Sequence, residues 1–109
     1  MNRELIEEVC VDVDNDIPHK MRLTYYLLTD SISDEHCDLK VYGAEIDKEN
    51  IGQECGQREK KIIKDLFFRR SDAEEFLKKI SAGTVTPMGL KYAVRDHINE
   101  KLKILACEG

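Results

Sequence analysis

Asp12, Asp14 and Asp16 stand at alternate positions, as carboxylates do at the start of an EF-hand calcium loop. That loop also needs glycine at its sixth position for the turn and a bidentate glutamate at its twelfth. Ile17 and Leu23 occupy those positions, so the match fails. The three aspartates read instead as the polar end of a strand and the turn after it. Zinc chemistry has seven candidate ligands: Cys10, His19, His36, Cys37, Cys55, His97 and Cys107. A structural zinc site brings two ligands close in sequence, twice over. His36-Cys37 is the sole close pair, and adjacent side chains on an extended segment point to opposite sides. A di-iron helix wants Glu-x-x-His. The chain has His97-x-x-Glu100, the reverse order, and Val94 where the glutamate belongs. His97 reads as a packed histidine.

Nucleophilic and phosphate chemistry find less. No Gly-x-Ser-x-Gly, Gly-x-Gly-x-x-Gly or Walker loop occurs. Gly52 and Gly56 flank a loop that lacks the lysine and hydroxyl a phosphate cradle uses. No catalytic residue, metal or cofactor is therefore assigned. Basic residues are densest from Arg58 to Arg70, with Phe67 and Phe68 nearby. A nucleic-acid platform would place aromatics for stacking. Here Phe68 shares a face with the apolar Ile62 and Leu66, so a charged strand edge is the plainer reading. Nucleic-acid binding through residues 58–70 is kept as an alternative.

The elements that must carry these residues follow from periodicity. Val9, Val11 and Val13 alternate with polar residues, which predicts a half-buried strand. Met21–Thr29, Leu39–Asp47 and Arg58–Phe68 predict three more, with turns over 14–18, 30–38 and 50–57. Leu66 and Phe68 are expected on one face of the last strand with Ile62, and Ile63 and Phe67 on the other. Ser71-Asp72-Ala73-Glu74 fits a capping box. Ala73, Phe76, Leu77 and Ile80 follow at helical spacing, and Gly83 is the expected stop. Thr86-Pro87 opens a second helix, whose stripe is Leu90, Val94, Ile98, Leu102 and Leu105. Strands followed by helices give an α+β fold: a four-stranded antiparallel meander with two C-terminal helices on one face. The competing architecture is a partly closed barrel around the last helix.

That fold has a consequence for function. Two helices cover one face of the sheet, yet the second strand carries large side chains on both. Either Tyr26 and Leu28 or Tyr25 and Leu27 must face away from the helices. An uncovered patch of that kind marks an interface. The residues expected to make contact are Tyr26, Tyr42, Phe67 and, four apart on one face of the last helix, Lys91 and Arg95. The expected activity is protein–protein contact as a homo-oligomeric binding or regulatory module. An enzyme with an unrecognised site is the third reading, and it calls for a pocket holding His36 or His97 beside a carboxylate or thiol.

Thr24-Tyr25-Tyr26-Leu27, Tyr42-Gly43 with Glu45-Ile46, Ile63-x-Asp65-Leu66, and Val85-Thr86-Pro87-x-x-Leu90 with Asp96 occur in that order. In this order they resemble a family of small uncharacterised bacterial proteins, a domain of unknown function of Firmicutes type, over roughly residues 22–98. The resemblance implies a bacterial cytosolic α+β domain and no activity, cofactor or catalytic residue. Met88-Gly89 and Arg95-Asp96-His97 depart from the family pattern.

Composition bounds the rest. At 109 residues one domain is expected. The longest apolar runs are four residues, too short to cross a membrane as helices. The N-terminal Met-Asn-Arg-Glu-Leu-Ile-Glu-Glu is acidic and has no apolar centre, which argues against a secretion signal and for the cytoplasm. Four cysteines without a Cys-x-x-Cys are then expected as free thiols. The net charge of -5 divides unevenly. Residues 1–50 hold 5 basic and 13 acidic side chains, and residues 51–109 hold 12 and 9. The halves either neutralise each other or leave a basic face for a partner.

Overall fold

The computed structural model describes residues 2–13, 19–33, 35–36, 38–51 and 58–108, with side chains at residue 19 and at 104–108 excepted. Four strands follow one another: β1 (Asn2–Val13), β2 (His19–Ser33), β3 (Asp38–Ile51) and β4 (Arg58–Phe67). Each is antiparallel to the next, and their order across the sheet is the order along the chain. Two helices come after them, α1 (Arg70–Ala82) and α2 (Leu90–Glu108), joined through a 3-10 turn at Pro87–Gly89. The architecture is the α+β meander. β1 and β4 are both free edges, so the sheet is open and the barrel is excluded.

Side-chain alternation decides which face is covered. Met21, Leu23, Tyr25 and Leu27 are buried, whereas Arg22, Thr24 and Tyr26 between them are half-exposed. Ala44 and Ile46 continue the buried face on β3. Ala73, Phe76, Leu77 and Ile80 of α1 and Leu90 of α2 close the core over it. Tyr26 and Leu28 are thus the pair turned away from the helices, but they do not form the exposed patch expected: Leu28 is buried and Tyr26 half-buried. The Tyr25 hydroxyl donates to the carbonyl of Val85, 2.8 Å away. This bond ties the centre of the sheet to the connection between the helices.

β1 begins at Asn2, ahead of the Val9–Val13 alternation that announced it, and the elements differ from the expectations in four further places, each with a local cause. The second hairpin is longer: Ser33 pairs with Asp38, and residues 30–33 run as strand despite their polarity. They lie at an exposed tip, where a ladder needs no apolar face. On β4 the alternation breaks. Asp65 has a φ of 54°, and the register slips between Tyr42 and Ala44. The slip turns Leu66 toward the core beside Ile63 and Phe67, so Leu66 does not share a face with the exposed Ile62 and Phe68. The capping box is absent. α1 begins at Arg70, no side chain caps it, and the Glu74 carboxylate accepts from Arg70 Nε at 2.6 Å. Glu74 is spent on that pair and does not reach back.

The fourth difference lies in the helix ends. Gly83 has an ordinary φ of -86°. The left-handed residue is Thr84, at 50°. Its N–H donates to Ser81 O and that of Val85 to Ile80 O, the two bonds of a Schellman stop. In α2 only the start of the expected stripe is covered. Leu90 is buried and Val94 half-buried, but Ile98 and Leu102 are 45% and 57% exposed. His97 takes the inward place. The expected turns over 14–18 and 50–57, and Cys37, Cys55 and the Leu105 and Cys107 side chains, lie outside the described residues, save Asn50 and Ile51, which close β3.

Candidate functional site

The face turned away from the helices is built by strand register. One row across the sheet holds Leu5, Tyr26, Glu45 and Ile62; the next holds Glu8, Thr24, Asp47 and Lys60; the third holds Cys10, Arg22, Glu49 and Arg58. Glu45, Asp47 and Glu49 form a column of carboxylates on β3, because alternate residues of a strand share a face. Cations flank the column on both sides. Arg22 Nε lies 3.0 Å from Glu8 and its Nη1 3.6 Å from Glu49. Arg58 Nη2 lies 3.4 Å from Glu49. The acidic first half and the start of the basic second half therefore meet here and offset each other.

Arg3 organises the middle of this face. Its guanidinium carbon sits 3.6 Å from the centre of the Tyr26 ring, a cation–π contact. Its Nη2 donates to Asp47 Oδ2 at 2.9 Å and lies 2.8 Å from Glu45 Oε2. The latter is an ion pair without hydrogen-bond alignment. Arg3 reaches this position from an edge strand because β1 carries a bulge between Leu5 and Glu7. The extra residue, Ile6, turns into the core, while Arg3 and Leu5 stay on the open face. The Glu45 side chain is 3% exposed. Burial pushes its pKa up, a hydrogen bond and repulsion from Asp47 push the same way, and Arg3 and Lys60 oppose them. The face forms a shallow groove of about 510 Å³ lined by Arg3, Tyr26, Arg22, Asp47 and Lys60 among others. A molecule entering it meets both signs of charge and one aromatic ring, and must displace Arg3 to reach Glu45.

The contact residues expected from the sequence fall in three places. Tyr26 is on the open face beneath Arg3. Tyr42 and Phe67 pair across β3 and β4 on the helix side and pack against the core. The Phe67 ring is 5.5 Å from Phe76 and 5.8 Å from His97. Lys91 and Arg95 are exposed on α2. The structure thus does not bring these five together. Sequence reading missed Arg3, Glu45 and Asp47. The alternation Glu45-x-Asp47-x-Glu49 on a strand was the available signal for the carboxylates; the bulge hid Arg3.

His97 is 5% exposed and enclosed by Phe67 and Phe76. Burial lowers its pKa first, and Lys79 and Lys101 lower it further. The groove on the open face contains no histidine. Among the described residues no three His, Cys, Asp or Glu side chains are placed to hold a metal ion, and no helix is long and apolar enough to cross a membrane. Cys10 is exposed on the open face. No curated protein and no solved structure matches the chain. One family does match, over residues 4–100, spanning all four strands, α1 and more than half of α2. On that match the chain belongs to a family of unknown function, DUF6514.

Proposed function

We propose that this chain is a small bacterial cytosolic binding or regulatory module that acts by protein–protein contact and works as a homo-oligomer. The observation that carries this reading is the surface it leaves uncovered. The Cα envelope is 54 × 36 × 17 Å, thin enough for one sheet and one helical layer. Its radius of gyration is 16.2 Å, against about 13 Å for a compact domain of this length. It exposes 7794 Å², about 1,600 Å² more than a compact monomer of this mass. A second layer of protein on either side would remove that surplus.

The electrostatics favour a protein partner over nucleic acid. Arg58 and Lys60, which begin the basic stretch, stand beside Glu49 and Asp47 across the strand pair. Of the two histidines an enzymatic reading calls for, His97 is enclosed by rings, and His36 is exposed between β2 and β3. The test is the solution mass by light scattering from micromolar to near-millimolar protein. A mass that rises to a multiple of 12.6 kDa is expected. A monomer throughout that range overturns the homo-oligomeric reading.

A further inference from the structure

We propose that the two unlike borders of the sheet pair between copies of this chain: β1 of one copy adds to β4 of the next, Glu8–Val13 against Glu59–Lys64. The proposal rests on the homo-oligomeric reading above and names the surface that serves it. β1 and β4 each have a single neighbour in the sheet, so half of their backbone N–H and C=O groups point outward. Their charges are opposite. Glu8–Val13 holds Glu8 and Asp12 and no cation, whereas Glu59–Lys64 holds Lys60, Lys61 and Lys64 against Glu59. Asp12, Lys61 and Lys64 are exposed and make no ion pair among the described residues. Charges that served only to discourage pairing could carry one sign on both borders. Here the signs are segregated, and one border attracts the other.

Direction and register agree with the charges. Successive strands alternate in direction, so β1 and β4 run opposite ways. A copy moved sideways without turning over therefore sets its β1 antiparallel to β4 and keeps both helical layers on one side. With Glu8 opposite Lys64, the open face also matches Asp12 with Lys60 and Cys10 with Ile62. On the helix side Val9 meets Ile63. A slide of two residues sets Ile62 against Glu8 in one direction and against Asp12 in the other. The same register puts Glu7 opposite Asp65. The bulge of β1 and the left-handed residue of β4 then fall together at one end of the paired run, outside it. The contact is head-to-tail, so a joined pair keeps one free border of each sign and adds further copies as concentration rises.

Cys10, exposed on β1, supplies the probe. Within one chain β1 and β4 lie three strand spacings apart, about 14 Å, beyond the reach of a disulfide. The variant Ile62→Cys is treated with oxidised glutathione at concentrations where light scattering shows association. The expected product is a reducible ladder of joined copies, with the new thiol bonded to Cys10 by peptide mass spectrometry. Lys61→Cys, on the other face of the same strand, is expected to give no bond to Cys10. Charge reversal reads the register without a new thiol. Asp12→Lys and Lys60→Glu are each expected to weaken association about tenfold. D12K/K60E in one chain is expected to restore it, since each copy then offers swapped charges to the next. Association without the bond to Cys10, or association indifferent to both reversals, overturns the border pairing and leaves the homo-oligomeric reading standing. A wild type that stays monomeric overturns both.

Discussion

The Tyr25 hydroxyl sits among apolar side chains and donates to Val85 O. Burial raises its pKa to about 12, so it remains a donor at any working pH. Tyr25→Phe removes the bond and leaves a carbonyl short of its partner. The expected loss is about 1–2 kcal/mol in urea unfolding, with the fold retained. His97 makes a pH-dependent contribution whose sign follows from its lowered pKa. Folded His97 binds fewer protons than unfolded His97 once the pH falls below about 6.5. Its enclosure is therefore harmless above that value and costs stability progressively below it, with a slope of at most about 1.4 kcal/mol per pH unit. Glu45, whose pKa is raised, acts with the opposite sign. Comparing wild type with His97→Phe between pH 7.5 and 5 isolates the histidine, and the variant is expected to lose less stability on acidification. Equal slopes would show that His97 does not titrate there. The histidine was legible in the sequence as a packed residue, since it neighbours Val94 and Ile98. The Arg3–Glu45 pair was not, because 42 residues separate its members and only strand register brings them together.

At the scale of elements, β4 crosses β3 closely at Gly43. A Cβ there would lie 2.3 Å from Ile63 O and 3.0 Å from the Lys64 Cα. Both are backbone atoms and cannot swing aside. Gly43→Ala is expected to cost about 2–3 kcal/mol by forcing the strands apart, measured as a fall in the unfolding midpoint. An unchanged midpoint would mean that β4 shifts freely. The same crossing explains why the strand order was readable and the faces of β4 were not. Alternation and turn residues announce four strands and two helices. They do not announce Asp65 in the left-handed region, which interrupts the alternation after Lys64 and brings Leu66 to the core face beside Phe67. The helix stop shows the same limit. Glycine was the natural left-handed residue, yet the turn uses Thr84 one position later. The Schellman bonds and the Tyr25 tie to Val85 together determine where the chain reverses. Capping from Ser71 failed for a similar reason: Arg70 competes for Glu74 and also pairs with Glu4 of β1, a contact invisible to local pattern.

The whole molecule is a sheet backed on one side. Its charge asymmetry along the chain becomes cross-strand pairing on the open face, with α1 and α2 linked by ion pairs of their own. These exposed pairs each contribute little, so stability rests on the one apolar layer and on whatever covers the rest. If dimerisation supplies that cover, the denaturation midpoint should rise with protein concentration, because mass action favours the associated folded state. A midpoint independent of concentration, measured over the range in which light scattering reports the dimer, would separate association from stability. The bulge that sends Ile6 inward has an effect on crowded solutions as well. It breaks the outer edge of β1 next to Glu4, Glu7 and Glu8. The opposite edge is broken at Asp65 and carries Lys60, Lys61 and Lys64. Each border thus combines charge with a break in its ladder, while Val9–Val13 of β1 pairs regularly with β2. Like edges of two copies, acid against acid or base against base, repel each other and so resist pairing.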